Sequence, residues 1–204
     1  MTMNRNESYK IFMHYGANPL LPDTVVLNNS AGGSTGVLNV TVDGWYYVKI
    51  AGGGASAGAV KQQNTGSGSS GAGFIGEIYL TKGNWDWRCG AKGRAAYAEN
   101  GTSSYLLRQD NPEKGIIANP GLSCGYYPEP AKDGGILEQK NIKTRNVLVA
   151  KRGNKGYPGI SHGYQVTPAE SVFKDVINEN WGRGGVANWD DAQPGVITVK
   201  FRGV

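Results

Sequence analysis

Few residues in this chain have types and spacing that could do covalent chemistry. There are two histidines, His14 and His162, and the second sits in a glycine-rich GISHGY stretch with no G-x-S-x-G elbow anywhere to supply a nucleophile. Asp190 and Asp191 are adjacent, so on an extended chain they point to opposite sides and make a poor acid/base pair. Cys89 and Cys124 lack CxxC spacing and read as two buried thiols before a disulfide. There is no HExxH, paired CxxC or EF-hand loop, so no metal site is expected. GGGASAG (52–58) lacks the G-K-[ST] ending of a phosphate-binding loop. Its third glycine position for dinucleotide binding falls on Ala57, and no helix pattern follows. The expectation is a protein without cofactor or metal, and not an enzyme.

What remains is chemistry of binding. The chain carries five tryptophans and eleven tyrosines against few aliphatic residues. Trp85 and Trp87 alternate in a strand-like run and read as core. Tyr126, Tyr127, Tyr157, Tyr164, Trp181 and Trp189 instead stand among turn residues. Rings held in loops suit sugar stacking or protein contact, or else cover the glycine backbone beneath them. Net charge is +5, and it is concentrated. Lys140, Lys143, Arg145, Lys151, Arg152 and Lys155 fall in one stretch without an acidic residue. That is a local basic surface, not the spread of charge a nucleic-acid-binding domain shows. Arg145, Lys151, Arg152 and Arg183 are the candidate partners for phosphate or carboxylate.

The elements that must position these residues are strands and glycine tracts. Glycine numbers 32 of 204 residues, with no Gly-X-Y period, so collagen is excluded. Ordering each glycine costs about 0.5–1 kcal/mol relative to alanine. So many glycines must serve unusual backbone shapes or tight packing. VLNVTV (37–42) and WYYVKI (45–50), joined by Asp43-Gly44, predict a hairpin. FIGEIYLT and NWDWRC, joined by Lys82-Gly83, predict a second. There Phe74, Ile78 and Leu80 share one face, as do Trp85, Trp87 and Cys89. Pro194-Gly195 turns into a last strand, VITVKF (196–201). YKIFMHY (9–15) and VLVA (147–150) are further strands. Thr167-Pro168-Ala169-Glu170 is a capping box, and Val172, Phe173, Val176 and Ile177 form a helical stripe, so a short helix is expected at about 168–180. The stretch 90–135 is too long for an ordinary loop and is either ordered without regular structure or a functional excursion. AGGGASAG is read as the exit from the sheet into ordered loops.

The order of these parts resembles the glycine-rich domain at the distal ends of some bacteriophage tail fibres and related virion proteins. A strand enters a glycine tract (WYYVKIAGGGASAG). A strand, turn and return strand reach a glycine motif (FIGEIYLTKGNWDWRCGAKG). Gly101-Thr102-Ser103-Ser104-Tyr105 follows, then IIANPGLSCG, and QPGVITVKF closes the domain. The match covers about residues 37–201. It implies a mainly β fold: a small antiparallel β-sandwich or barrel-like framework with long ordered glycine-rich loops and one short helix. Residues 1–28 are read as an N-terminal strand and docking segment, and 29–204 as the glycine-rich β domain with a basic insertion and helix at about 140–182. In some tip adhesins of this kind the loops pack as polyglycine-type helices.

The resemblance further implies a virion-associated attachment protein. It would bind a host surface glycan or outer-surface protein through the loop aromatics and cations, and would contact other tail proteins. A structural decoration or connector protein is the alternative, and a capsule depolymerase ranks third. MTMNRNESYK has no apolar core of a signal peptide and no apolar run is long enough to span a bilayer, so the expectation is synthesis in the host cytoplasm, incorporation in the virion and no membrane insertion. Fibre ends of this kind are often trimeric, although monomeric tip adhesins exist, so the expectation leaves both a homotrimer and a monomer open.

Overall fold

A computed structural model describes residues 25–26, 33–58, 66–94, 97–124, 130–158, 167–186 and 191–204. The expected N-terminal strand 9–15 lies outside them. Within them ten strands form two five-stranded sheets in which every pairing is antiparallel. The first sheet has the order β1 (Val25–Val26), β10 (Val196–Gly203), β3 (Gly44–Ala51), β4 (Gly73–Leu80), β9 (Thr144–Lys151). The second has the order β2 (Thr35–Val40), β5 (Gly83–Arg88), β6 (Ser104–Arg108), β7 (Asn111–Ala118), β8 (Leu137–Lys140). The fold is a small β-sandwich. Period-2 alternation sends Tyr46, Val48 and Ile50 inward from β3 and Phe74, Ile78 and Leu80 inward from β4. They meet Trp85, Leu106 and Ile116 of the second sheet in one core.

Neither of the two expected early hairpins forms. β2 pairs with β5 and β3 pairs with β4, so each connection crosses from one sheet to the other. The two crossings run side by side at one end of the sandwich, here called the base, where Val40 faces Gly83 and Gly44 faces Leu80. The Lys82 amide donates to the Asp43 carboxylate and ties them together. Asp43-Gly44 misled because Gly44 serves packing, not a turn. A Cβ there would lie 2.6 Å from the Gly203 carbonyl oxygen of β10. Tyr46 secures the same corner by donating its hydroxyl proton to the Val42 carbonyl, 2.8 Å away. Burial, with the nearby Asp43 charge, pushes its pKa up to about 12.

The helix is shorter than the stripe implies. α1 is one turn, Lys174–Ile177. The capping-box residues are drawn elsewhere: the Ala169 carbonyl accepts from Gly184 and the Glu170 carbonyl from Asn154. Phe173 is the N-cap, with no side-chain cap bond, and Ser171 braces the approach, its hydroxyl accepting from the Phe173 amide and donating to the Trp181 carbonyl. Val172 and Phe173 then cover the outer face of the first sheet, against Ile75, Val149 and Val196.

Opposite the base, strands run directly into glycine segments. β3, β5, β7 and β9 continue into 52–58, 90–94, 119–124 and 152–158. Segments 66–72, 97–103, 130–136 and 191–195 return into β4, β6, β8 and β10. The amides of the central segment bond with a period of three. Ser67 and Ser70 donate to Tyr157 and Asn154, Gly68 and Gly71 to Gly185 and Gly182, and Ser69 and Ala72 to Leu122 and Asn119. Gly52 and Ala55 likewise donate to Ala72 and Ser69, and Gly53 and Ser56 to Thr102 and Glu99. Three residues per turn with no bonds inside the segment is the polyproline-II geometry. The loops are a bundle of polyglycine-type helices.

Glycine is required there by contact. A Cβ on Gly54 would lie 1.8 Å from the Arg183 carbonyl oxygen, and one on Gly121 would lie 1.9 Å from that of Ser69. In the central segments 52–58 and 66–72, where a side chain is tolerated it is alanine or serine, and the buried serines hold the bundle together. Ser69 accepts from the Leu122 amide and donates to the Asp133 carbonyl, and Ser70 and Ser67 accept from Asn154 and Tyr157. Cys89 and Cys124 are buried and not joined by a disulfide. The Cys89 thiol donates to the Gly195 carbonyl, 3.3 Å away.

Candidate functional site

The glycine segments end together. Gly58 bonds to Cys124 and pairs with Tyr97, while Ser67 bonds to Tyr157 and pairs with Val186. These contacts bring six segment ends to one distal face. A bundle locked by backbone bonds is a rigid support for whatever that face presents.

Of the six aromatic candidates, Tyr157 stands on this distal face, 47% exposed. Tyr126, Tyr127, Tyr164 and Trp189 lie outside the described residues. Trp181 does not reach the face: it packs half-buried on the cluster around Phe173 and Val149. One distal aromatic escaped the sequence reading. Tyr97 is 72% exposed, with the Arg94 guanidinium 5.2 Å from its ring centre. Glu99 fixes that guanidinium at 2.8 Å, and the Arg94 side-chain and backbone bonds hold the Glu99 carboxyl below its usual range. The available signal was an aromatic in the short step between two glycine segments, in GRAAYAENG.

The basic candidates do not join the aromatics. Arg145 lies toward the base, on the outer face of the first sheet. It bonds to Glu77 at 2.6 Å and stacks 4.2 Å from the Trp45 ring. Burial opposes ionisation of Glu77, but hydrogen bonds from Arg145 and Asn146 and the charges of Arg145 and Arg202 outweigh it, so its carboxyl is held below the usual range. Lys151 ends β9, exposed. Arg152 bonds to the Gly134 carbonyl and to Asp133. Arg183 has its main chain inside the bundle, against Gly54, and its guanidinium reaches the Asp191 carbonyl. Of the described candidates, Tyr157 thus lies on the distal face, Trp181 on the outer face of the first sheet and Arg183 in the bundle, while Arg145, Lys151 and Arg152 lie on a lateral side formed by β8 and β9.

Among the described residues no cluster of three or more His, Cys, Asp or Glu could hold a metal ion, and no helix is long and apolar enough to cross a membrane. Asp191 pairs with Lys92 at 3.0 Å. The class that fold and site define is a β-sandwich carrying a polyglycine-type bundle with a distal aromatic face. No family model matches the chain and no curated protein is similar to it.

Proposed function

We propose that this protein is a non-catalytic attachment module of a virion, at a phage tail fibre or tip, that binds a host surface glycan or outer-surface protein through its distal face. The observation that carries this reading is the convergence of six segment ends, Tyr97 and Tyr157 among them, on one face of a rigid bundle. Exposed rings on a support that loses little entropy on binding favour stacking on sugars or apolar side chains.

Polarity of the chain fits the same reading. β1 is antiparallel to β10 and so runs from the base toward the bundle, and Val204 also lies on the base side. Attachment to a particle through the base would point the distal face outward. Soluble protein is expected to adsorb to susceptible cells and compete with infection. Tyr97→Ala with Tyr157→Ala is expected to reduce adsorption at least about tenfold, the scale of one or two lost hot-spot rings, while the melting temperature stays unchanged. Adsorption unaffected by the double substitution would remove the distal face from the reading. The alternative of a connector protein is favoured by the same polarity: a deletion of residues 1–24 that folds but leaves the particle would support docking from the base.

A further inference from the structure

We propose that the lateral β8–β9 side is a docking surface for an anionic lipid membrane, separate from the distal face and independent of its ligand. The argument starts at a bulge. Ile75 pairs with Val149 and Glu77 with Arg145, so three residues of β9, Asn146, Val147 and Leu148, stand opposite Gly76 alone. Asn146 adopts φ +47°, a conformation asparagine tolerates better than most residues. A Cβ on Gly76 would lie 3.1 Å from the Val147 Cα and 2.8 Å from the Phe74 ring. The bulge is thus built by two residue choices, and it pushes apolar side chains out. Leu148 is 65% exposed and Val147 43%.

Edge strands are commonly protected by bulges and lysines, which prevent another strand from pairing. Protection needs charge and has no use for an exposed leucine at the apex. Around this apex stand cations. Arg145 is engaged with Glu77, Lys140 with Glu113, and Arg152 and Lys155 with Asp133. Lys143 and Lys151, exposed on either side of the bulge, have no ion pair among the described residues. Half-buried Trp45 and Tyr79, packed edge to face, adjoin Arg145 on the neighbouring sheet face. An apolar apex ringed by cations, with aromatic rings beside it, complements the phosphate layer and acyl boundary of a bilayer. A second copy meeting this side with its own would bring like charges together, and a hydrophilic polyanion would leave Leu148 without a role.

The test uses the full chain and vesicles of phosphatidylcholine, with and without phosphatidylglycerol, in a flotation assay at low and physiological salt. Binding is expected only to the anionic vesicles and should weaken with salt. Lys143→Glu and Lys151→Glu are each expected to lower partitioning at least about fivefold. Leu148→Ser, which keeps every charge, is expected to lower it several-fold, and Lys82→Glu at the base should not. Circular dichroism establishes that each variant is folded, and Leu148→Asn replaces Leu148→Ser if that one is not. The proposal is overturned if anionic vesicles are not bound, if Lys82→Glu weakens binding as much as Lys143→Glu, or if the Leu148 variant binds normally. It is equally overturned if these variants affect only binding to soluble polyglutamate, which would mark an acidic protein site, or only a dimer seen by ultracentrifugation.

Discussion

At the scale of single residues, glycine here acts by occupying almost no space. The site of a Cβ on Gly54 lies within bonding distance of a neighbouring carbonyl oxygen, and backbone locked by further bonds cannot yield. Gly54→Ala is expected to cost at least about 3 kcal/mol, or about 10 °C in melting temperature for a domain of this size. Gly33→Ala separates packing from conformation. Gly33 has φ +88° but nothing within 4 Å, so that change should cost only about 1 kcal/mol. Equal losses in thermal melts would show that conformation, not contact, selects glycine. Serine was harder to read than glycine. GSGSS (66–70) has the composition of a flexible linker, yet every one of its residues is buried. Nothing local marks Ser67, Ser69 and Ser70 as structural, because their partners are 53–90 residues away.

Glu77 gives a prediction of a different kind at the same scale. Its folded pKa is depressed, so its ionised form stabilises the fold above the ordinary carboxylate range. That contribution is lost as pH falls through the folded value. Glu77→Gln should lower stability near neutral pH by about 1 kcal/mol, given partial exposure of the pair. The difference from the parent should shrink as the solution is acidified below the unfolded pKa. Denaturant midpoints measured across that window check it. A difference independent of pH would mean that Glu77 acts through shape alone.

At the scale of elements, alternation was legible and connectivity was not. Inward faces of β3, β4, β5 and β10 follow from period-2 spacing, because burial of one face is a local property of a strand. Pairing is not local. Asp43-Gly44 and Lys82-Gly83 carry turn chemistry, but whether a turn folds a strand onto its own sheet or across to the other depends on partners such as Gly203 and Arg108. The helix failed similarly: its capping box was consumed by bundle contacts that no local pattern reveals. The aromatic and basic candidates were legible as types, while the separate places of Tyr157, Trp181, Arg183 and the β9 cations depended on that pairing. The bundle itself makes the element-scale prediction. Amides of Ser67 to Ala72 each have a partner and are buried, so hydrogen exchange should be as slow there as in β4. Exchange at rates typical of loops would show that the period-three bonds do not persist in solution.

At the scale of the whole molecule, the question is whether sandwich and bundle are two units or one. Composition divides them: one is built on Ile, Val, Trp and Tyr, the other on Gly, Ser and Ala. Their covalent and hydrogen-bonded continuity argues for one. Eight strands pass into the bundle without an intervening linker, and Ser104 sits at the junction, fully buried. Its hydroxyl accepts from the Gly90 amide of the bundle and donates to the Ala51 carbonyl at the end of β3. Neither part can open there without exposing polar groups paired in the other. Thermal unfolding should therefore be a single transition, with calorimetric and van't Hoff enthalpies equal. Ser104→Ala leaves a buried donor and acceptor without that partner, and should lower the one transition by about 1–3 kcal/mol without splitting it. Two resolved transitions in the parent would mean that the bundle melts from a surviving sandwich, and its distal face would then be a conditional support, not a rigid one.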